Sequence, residues 1–451
     1  MQPDLPVVVL VGRPNVGKST LFNRLTDTRD ALVADRPGVT RDRQYGVVRA
    51  GERRFLVVDT GGLGVDDAEI DALAAAQTDI ALAEAHAVVF LVDGRDGLLP
   101  GDLAIADRLR HLTVPVYPVV NKTEGRIAEE AVAEFHALGM GAPDAISASH
   151  GGRIEALIQR LVADLPPSGD DLDDGAAGTR LAVVGRPNAG KSTLVNRLLG
   201  ESRMLTMDAP GTTRDAVAAE FEHDGERFRV VDTAGIRRRS RIEDPLEKFS
   251  VIKAMQAAES AHIVVIMVDA QRGLEAQDVR LLGLMVDLGR AVVLAINKWD
   301  GLDQERRRAL REDLRRRLVH LDFMTICTIS AKHGSGLREL MAAVREARDA
   351  AGADLSTGAL TRVLEQAVLA HAPPALHGRR IKLRYAHQGG RNPPRIVIHG
   401  NQTARLSAEY KRYLMRRFRD AFGLRGTPVE LVFRTGENPY GKRGPASARK
   451  R

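Results

Sequence analysis

An eight-residue stretch occurs twice in this chain, as Gly12-Arg13-Pro14-Asn15-Val16-Gly17-Lys18-Ser19 and as Gly185-Arg186-Pro187-Asn188-Ala189-Gly190-Lys191-Ser192. Both copies fit the pattern G-x-x-x-x-G-K-S, follow a short apolar run and lead into a helical pattern. In that context the glycines let backbone N–H groups surround a phosphate chain, the lysine adds a positive charge, and the serine hydroxyl can ligate Mg²⁺. The sequence therefore predicts two phosphate-binding loops, since a chance glycine-rich turn would not recur in matching surroundings.

The spacing of further motifs indicates an internal duplication. Three pairs of residues are each separated by 173 positions, namely Lys18 and Lys191, Thr40 and Thr213, and Asp59 and Asp232. A constant offset is the signature of a repeated domain. The register changes later, where Asn121 matches Asn297 and Ser147 matches Ser330. We expect the extra residues of the second copy in surface segments such as Glu305–Arg317.

Short apolar strands alternate with helical patterns, such as Glu69–Glu84, in residues 1–165 and again in residues 180–350. This alternation predicts an α/β fold with a mostly parallel sheet and helices on both faces in each copy. Residues 166–179 are acidic and rich in Pro and Gly, as in a flexible linker. Residues 355–437 read as α-β-β-α-β, a small α+β unit whose first two strands are predicted over Ile381–Tyr385 and Ile396–His399. Residues 438–451 form a basic tail that we expect to be disordered.

Charge is distributed unevenly along the 451 residues. Residues 351–451 contain 20 Lys+Arg and 6 Asp+Glu, a balance of +14, so the rest of the chain carries 7 − 14 = −7. A basic end on an acidic body favours a polyanionic partner, nucleic acid before membrane, over the alternative of a solvated basic surface.

No apolar run approaches the ~18 residues of a membrane span, and no secretory signal pattern is visible. The single Cys327 excludes an intrachain disulfide. We expect a cytoplasmic protein.

Each copy also supplies side chains for a magnesium ion and for a loop that senses the γ-phosphate. Asp59 and Asp232 end apolar strands 41 residues after the two lysines, where a carboxylate can hold Mg²⁺ through water. Thr40 and Thr213 lie in Pro-Gly-x-Thr-Arg-Asp loops and can give Mg²⁺ a second hydroxyl ligand beside Ser19 and Ser192. Glycine-containing loops follow the aspartates, as Thr60-Gly61-Gly62-Leu63 and Thr233-Ala234-Gly235-Ile236.

The segment Asn297-Lys298-Trp299-Asp300 predicts guanine as the base. The Asp300 carboxylate can accept both the N1–H and the N2–H₂ donors of guanine, and the backbone of Ser330-Ala331-Lys332 can meet O6. The first copy has Asn121-Lys122-Thr123-Glu124 and Ser147-Ala148 instead. Because glutamate is one methylene longer, and a tenfold loss needs only ~1.4 kcal/mol, we expect GTP in both sites with weaker guanine selectivity in the first.

Together with Asn438-Pro439-Tyr440 near the end of the chain, these motifs resemble the EngA/Der family of bacterial tandem GTPases over nearly the whole sequence. The resemblance implies GTP hydrolysis with Mg²⁺ in both domains, with Lys18, Thr40, Lys191 and Thr213 as catalytic groups. It also implies a KH-like C-terminal domain and a role in assembly of the large (50S) ribosomal subunit and its rRNA. We expect the free protein to be a monomer. An alternative is a regulatory module whose first domain senses GTP or GDP without turnover.

Catalysis is expected to depart from that of Ras-like GTPases, which place a water-orienting glutamine directly after Asp-x-x-Gly. Leu63 and Ile236 occupy those positions and cannot orient water by hydrogen bonding. The family resembles GTPases that bind K⁺ through the P-loop asparagine, a role that falls on Asn15 and Asn188. The alternative role for these asparagines is to stabilise the turn.

The C-terminal unit contains the only Gly-x-x-Gly of that region, Gly423-Leu424-Arg425-Gly426. KH domains clamp a nucleic-acid backbone with such a loop. Here it follows a long helical pattern and precedes Pro428, so a helix C-cap is predicted instead. The stripe Tyr410/Phe418/Phe422 is predicted to be core. The basic residues of the same helix could meet RNA phosphates or an acidic surface of the nucleotide-binding units; they are Lys411, Arg412, Arg416, Arg417 and Arg419.

Overall fold

A computed structural model describes residues 5–26, 45–51, 53–60, 78–79, 81–166, 178–201, 203–204, 219–231, 251–373, 375–376 and 379–435. Several predicted features lie outside these residues: the two threonine loops, the loops after Asp59 and from Asp232 onward, most of the acidic linker, most of the predicted helix Glu69–Glu84, and the basic tail. Residues 1–165, 180–350 and 355–437 are called the first, second and third units below.

The first unit contains a sheet in the order β2-β3-β1-β4-β5-β6, in which β2 alone runs antiparallel to its neighbour. The strands are β1 Val7–Val11, β2 Tyr45–Ala50, β3 Arg53–Asp59, β4 Ala87–Asp93, β5 Val116–Asn121 and β6 Asp144–Ala145. The described helices are Lys18–Thr26, Pro100–Leu109, Ala128–Val132 and Ile154–Asp164, with a 3₁₀ turn at Ala133–Leu138. Every residue of β1 and β4 is buried, because helices cover both faces of the sheet.

The second unit repeats this arrangement with one further strand, β8, at the edge of the sheet, in the order β13-β12-β11-β7-β10-β9-β8. Its strands are β7 Thr179–Gly185, β8 Arg203–Met204, β9 Ala219–His223, β10 Glu226–Val230, β11 Ile263–Asp269, β12 Ala291–Asn297 and β13 Thr325–Thr328. Its helices are Lys191–Glu201, Val251–Glu259, Ala276–Asp287, Gln304–Arg317 and Leu337–Gly352, with 3₁₀ turns at Trp299–Gly301 and Val319–Leu321.

Seven of the extra residues of the second copy, those that raise the offset from 176 at Asn121 and Asn297 to 183 at Ser147 and Ser330, lie where the sequence places them. The helix Gln304–Arg317 has 14 residues, against 5 in the corresponding helix Ala128–Val132. Only Leu310 and Leu314 of the longer helix are buried. The insertion therefore extends a surface helix and leaves the sheet unchanged.

The third unit has a three-stranded sheet with two helices on one face. The strands are β16 Leu383–Gly390, β17 Arg395–Gly400 and β18 Glu430–Thr435, and the helices are Thr357–Ala370 and Ala408–Phe422. Strand β17 pairs antiparallel with β16 and parallel with β18. A 3₁₀ turn covers Thr403–Arg405. Ser356 and Ser407 cap the two helices by accepting hydrogen bonds from Ala359 and Tyr410 N–H at 3.3 Å.

Two expectations for the third unit need correction. The first strand was expected over Ile381–Tyr385, but β16 runs to Gly390, because pairing with β17 extends it through polar and glycine residues. A short hairpin, β14 Ala375–Leu376 and β15 Arg379–Arg380, was not predicted. The predicted aromatic core is confirmed, since Tyr410 and Phe418 are buried and Phe422 packs against them.

The first and second units share a continuous apolar core. A single cluster of buried side chains runs from Val7 on β1 to Val264 on β11, through the helix Val251–Glu259. The edge hairpin β2–β3 lies against the second unit, where Arg280 stacks over the Tyr45 ring at 5.0 Å.

Candidate nucleotide-binding sites

The two predicted phosphate-binding loops adopt the same conformation. Lys18 Nζ donates to the carbonyls of Gly12 at 2.8 Å and Arg13 at 2.7 Å. Lys191 Nζ makes the equivalent bonds to Gly185 and Arg186, both at 2.7 Å. Each lysine thus lies under its own loop, with its ammonium group held by carbonyl oxygens. The loop then leads into a helix that begins at the lysine, so the helix N-terminus faces the same space as the ammonium group.

Glycine is required in these loops by close approach. A Cβ on Gly12 would lie 2.3 Å from the Leu91 carbonyl oxygen. Gly17 and Gly190 have φ of +101° and +97°, and a Cβ on either would lie within 2.3 Å of an asparagine side chain, Asn121 or Asn297. Only glycine lets the phosphate loop and the base loop approach so closely. Val16 and Ala189 are buried beneath the loops, whereas Pro14 and Pro187 are exposed on their outer side.

Burial affects the lysine of the first loop. Lys18 is 5% exposed, and this burial lowers the pKa of its ammonium group to about 8, although the negative charge of Asp59 partly opposes the shift. A phosphate anion in the loop would supply the missing counter-charge. A bound phosphate would therefore raise the pKa of the Lys18 ammonium group.

Ser19 and Asp59 are adjacent, as a magnesium site requires. Ser19 Oγ donates to Asp59 Oδ2 at 2.8 Å, and Thr60 Oγ1 anchors the strand end by donating to the Leu10 carbonyl at 2.8 Å. A hydroxyl and a carboxylate side by side are hard oxygen ligands, direct or through water, that suit Mg²⁺. Ser192 lies in the first turn of its helix, as Ser19 does in the first unit. Their predicted partners lie outside the described residues: Thr40, Gly61, Gly62, Leu63, Thr213, Asp232, Thr233, Ala234, Gly235 and Ile236.

An asparagine joins the phosphate loop to the base loop in each unit. Asn121 Nδ2 donates to the Val16 carbonyl, and Asn121 Oδ1 accepts from Ala148 N–H, both at 2.9 Å. Asn297 makes the same pair of bonds, to the Ala189 carbonyl at 2.8 Å and from Ala331 N–H at 2.9 Å. Each asparagine therefore links the phosphate loop to the base loop of its unit.

The lysines that follow these asparagines fix the loop from the other side. Lys122 and Lys298 have φ of +64° and +61°. Lys122 Nζ donates to the Asn15 carbonyl at 3.0 Å and pairs with Asp93, and Lys298 Nζ pairs with Asp269 at 2.6 Å. Thr123 Oγ1 donates to the Ile146 carbonyl at 2.9 Å. Trp299 lies under the guanidinium of Arg311 at 5.2 Å.

The two carboxylates predicted to read guanine are positioned alike. Ser147 Oγ donates to Glu124 Oε2 at 2.8 Å, and a hydrogen bond from Ser330 is the main reason that the pKa of Asp300 is lowered. The pKa of Glu124 is lowered too, first by its own backbone N–H and then by Ser147. Both groups are therefore ionised acceptors at neutral pH. Glutamate reaches the same serine in spite of its extra methylene.

Their second partners differ. The other oxygen of Glu124, Oε1, pairs with Arg95. Asp300 lies 3.4 Å from Nε2 of His333. Lys332 completes the second base loop, and its carbonyl accepts a hydrogen bond from Arg197.

Sequence reasoning missed one ion pair that supports both sites. Arg13 Nε donates to Asp102 Oδ1 at 2.8 Å, and Arg186 Nε donates to Asp278 Oδ1 at 2.9 Å. The aspartates are fully buried and also cap the helices that begin at Pro100 and Ala276. The two aspartates are offset by the same 176 positions as Asn121 and Asn297 (278 − 102 = 176), and the two arginines by 173 (186 − 13 = 173). Following that offset through the acidic residues would have found them.

The described residues contain no cluster of three or more His, Cys, Asp or Glu side chains that could hold a metal ion. Within the same ranges, no helix combines the length and apolar character needed to cross a membrane. Cys327 is buried as expected, and burial raises the pKa of its thiol to about 11.

In the third unit, Gly423 ends the long helix in the left-handed conformation, φ +61°, so the predicted C-cap is confirmed. Gly426 joins the third unit to the second, because its N–H donates to the Phe323 carbonyl at 2.7 Å and its carbonyl accepts from Val292 N–H at 2.6 Å. Arg416 and Arg419 both pair with Asp322 at 3.0 Å. Asp322 of the second unit therefore holds two of the five basic residues of the helix.

Comparison with known proteins agrees with this geometry. The family model described as a 50S ribosome-binding GTPase matches residues 7–122 and 180–298. The model described as the C-terminal KH-domain-like region of EngA bacterial GTPase enzymes matches residues 355–434. Among solved structures, Era in complex with MgGDPNP and nucleotides 1506–1542 of 16S ribosomal RNA is 22% identical with a TM-score of 0.32, covering 70% of this chain and 98% of that one.

Curated relatives match almost end to end. GTPase Der of Thioalkalivibrio sulfidiphilus is 54% identical over 448 residues, covering 99% of this chain and 97% of that protein. GTPase Der of Methylococcus capsulatus is 54% identical, with 99% and 96% covered, and that of Legionella pneumophila is 50% identical, with 97% and 94% covered. With two nucleotide-binding units and a KH-like third unit, this chain is a GTP-hydrolysing enzyme and belongs to the EngA/Der family of GTPases.

Proposed function

We propose that this protein is a cytoplasmic, monomeric factor that uses GTP in two sites to control its association with the large (50S) ribosomal subunit during assembly. The observation that carries the proposal is the matched pair of sites, each with its phosphate loop tied to its base loop by one asparagine. Its further support is the ribosome-binding GTPase model that both units match, together with the basic third unit.

In each site we assign Mg²⁺ to the P-loop serine, the strand-end aspartate and the threonine of the Pro-Gly-x-Thr-Arg-Asp loop: Ser19, Asp59 and Thr40 in the first unit, and Ser192, Asp232 and Thr213 in the second. Lys18 and Lys191 then neutralise the phosphates. Phosphoryl transfer to water requires mainly positioning and charge stabilisation, so no covalent nucleophile is needed. Release of the threonine loop after loss of the γ-phosphate gives the switch.

We further propose that K⁺ stimulates hydrolysis through Asn15 and Asn188. Both residues have a left-handed backbone, with φ of +66° and +62°, a conformation that asparagine tolerates well. Backbone geometry alone thus accounts for an asparagine here, but both side chains are exposed at the loop surface and accessible to a cation. The two roles can be separated by Asn15→Gly and Asn188→Gly, since glycine keeps the left-handed backbone and removes the side chain.

GTP turnover of the wild-type protein should be faster in KCl than in NaCl at matched ionic strength. The two glycine variants should still bind GDP but lose the difference between the salts. Equal wild-type rates in the two salts would exclude the potassium role. Glycine variants that keep the difference would assign the asparagines to the turn alone.

The function itself is tested by co-sedimentation with purified large ribosomal subunits. Binding should be stronger with a non-hydrolysable GTP analogue than with GDP, and Lys18→Ala and Lys191→Ala should each remove the nucleotide dependence of one site. Binding that is absent, or equal in every nucleotide state, contradicts the proposal. The Arg95–Glu124 pair favours unequal sites, so a first unit that senses nucleotide without turnover is the second candidate. It predicts that Lys18→Ala leaves turnover unchanged.

A further inference from the structure

The third unit has a sheet face that its helices do not cover. Side chains of Ala386, Ile396 and Ile398 point to the helices and are fully buried. The residues between them point the opposite way. Near one end of that opposite face, Tyr385, His399 and Arg434 are direct neighbours across β16, β17 and β18.

Three flat rings are stacked on this face. The Tyr385 and His399 rings lie 4.4 Å apart with only 7° between their planes. The His387 ring lies 5.2 Å from His399 with 27° between the planes. Tyr385 is 43% exposed, whereas an aromatic residue that serves the core is buried, as Phe418 is on the helix side. The Tyr385 ring is therefore not a core side chain, and the stack takes no part in either nucleotide site.

The surroundings of the stack are positive. Arg434 beside His399 is exposed, and so are Lys382 and Arg384 at the start of β16. Residues 355–434 as a whole contain 15 Lys+Arg and 4 Asp+Glu, a balance of +11. Partial burial, with the charges of His387 and Arg434, lowers the pKa of His399. Its ring is therefore neutral at pH 7 and suited to stacking, while Arg434 supplies the charge.

The Gly-x-x-Gly loop, with which KH domains usually bind nucleic acid, makes other contacts in the third unit. A Gly-x-x-Gly loop grips an RNA backbone in KH domains, but here Gly423 caps a helix and Gly426 is hydrogen-bonded to the second unit. An RNA partner of the third unit must therefore use another surface. Exposed rings with adjacent cations are the combination that binds unpaired bases and their phosphates.

We propose that Tyr385, His387 and His399 form a stacking platform for unpaired RNA bases, with Arg434 holding the adjacent phosphate. The proposal rests on the proposed function for RNA as the partner, and it assigns the contact to the sheet face instead of the basic helix. Duplex RNA hides its bases in the helical stack, so the platform should discriminate single strands from duplexes. If this face bound a protein or a membrane instead, it would not discriminate between single-stranded and duplex RNA.

The test uses fluorescence anisotropy with the full-length protein and a labelled single-stranded RNA of mixed sequence, beside a duplex of the same length. Tyr385→Ala should weaken single-strand binding about tenfold, as expected for the loss of one stacked base, and leave duplex binding and GTP turnover unchanged. Tyr385→Phe should retain binding. Arg434→Gln should reduce the salt dependence of binding by about one phosphate contact. Leu369→Ala, which truncates a side chain that is 88% exposed on the other side of the unit, is the control.

Tyr385→Val replaces the ring with a good strand former if the alanine variant does not fold. Single-strand affinity that is unchanged in both variants, or an equal loss with duplex RNA, overturns the platform. Co-sedimentation with large subunits separates this proposal from the preceding one. Wild-type protein that binds single strands through Tyr385 but never binds large subunits supports the platform and contradicts the proposed function. Large-subunit binding that is intact in Tyr385→Ala, combined with unchanged single-strand RNA affinity in this variant, supports the proposed function and contradicts the platform.

Discussion

Arg95 and Glu124 form an ion pair at the rim of the first nucleotide site, and the second unit has Gln271 where the first has Arg95. Arg95 and Gln271 occupy equivalent positions in the structure as well as in the sequence. Arg95 N–H and Gln271 N–H each donate to the preceding aspartate, Asp93 or Asp269, at 2.9 Å. Guanine binding at the first site therefore competes with a permanent cation for the reading carboxylate, whereas the neighbour of the Asp300 carboxylate at the second site is His333, which is a cation only when protonated.

Replacing Arg95 by Gln should make the first site resemble the second. We expect Arg95→Gln to strengthen GDP binding at the first site a few-fold, because the carboxylate then serves guanine alone. The measurement is a titration with fluorescent GDP in a Lys191→Ala background, which removes the second site. The reciprocal Gln271→Arg in a Lys18→Ala background should weaken binding. Unchanged affinity in both variants would show that Arg95 does not compete.

Nucleotide affinity at the first site should depend on pH through Lys18. Its pKa is about 8 without ligand because of burial, and bound phosphates raise it. Affinity is therefore full below pH 8 and falls as pH rises through and above 8, by up to about tenfold per pH unit. GDP titrations from pH 7 to 9 in the Lys191→Ala background measure this. Lys18→Arg, which stays charged throughout, should give a flat profile. A flat profile for Lys18 itself would contradict the assignment.

The interface between the first two units contains a buried charge cluster. Glu259 is 1% exposed and lies between Arg54 of the first unit at 3.1 Å and Arg290 of the second at 3.0 Å. Glu259→Ala should destabilise the protein by about 3 kcal/mol or more, because it leaves buried guanidinium groups without their counter-charge. Urea unfolding gives the value.

A matched control lies on the same helix. Lys253 pairs with Glu84 across the same interface at 3.9 Å, but its side chain is 69% exposed. Lys253→Ala should cost at most about 1 kcal/mol, as exposed pairs do. Equal effects of the two variants would show that burial of Glu259 does not matter to the interface.

Two glycines with similar backbones should respond differently to alanine. Gly423 and Gly426 have φ of +61° and +72°, but a Cβ on Gly423 meets nothing within 4 Å, whereas one on Gly426 would lie 2.4 Å from the Ala347 Cβ. Gly423→Ala should cost about 1 kcal/mol from backbone strain alone. Gly426→Ala should cost clearly more and loosen the contact between the second and third units. Hydrogen exchange at Val292, whose N–H donates to the Gly426 carbonyl, should rise only in Gly426→Ala. Similar protection in both variants would refute the steric argument.

The nucleotide loops were predictable because their information is local. Glycines at fixed spacing, an apolar strand ending at Asp59 and the constant offsets between the units specify them without knowledge of the rest of the fold. The Arg54–Glu259 contact was not predictable, because it joins residues 205 positions apart (259 − 54) and buries charges that composition places at the surface. The end of β16 was missed for a related reason. Gln388 and Gly390 have weak strand preference and are held in the strand by pairing with β17.

Arg49 on β2 donates to the Glu430 carboxylate of the third unit and to the Asp287 carbonyl of the second, at 2.8 and 2.7 Å. If the chain were cleaved at the acidic linker, the second and third units would both lose the hydrogen bond from Arg49. The carboxyl-terminal fragment would then present Glu430 and the end of the helix Ala276–Asp287 to solvent. Dissection into pieces would thus change the relation between the two remaining units. A ribosome-binding measurement on such a fragment would describe a different molecule from the intact protein.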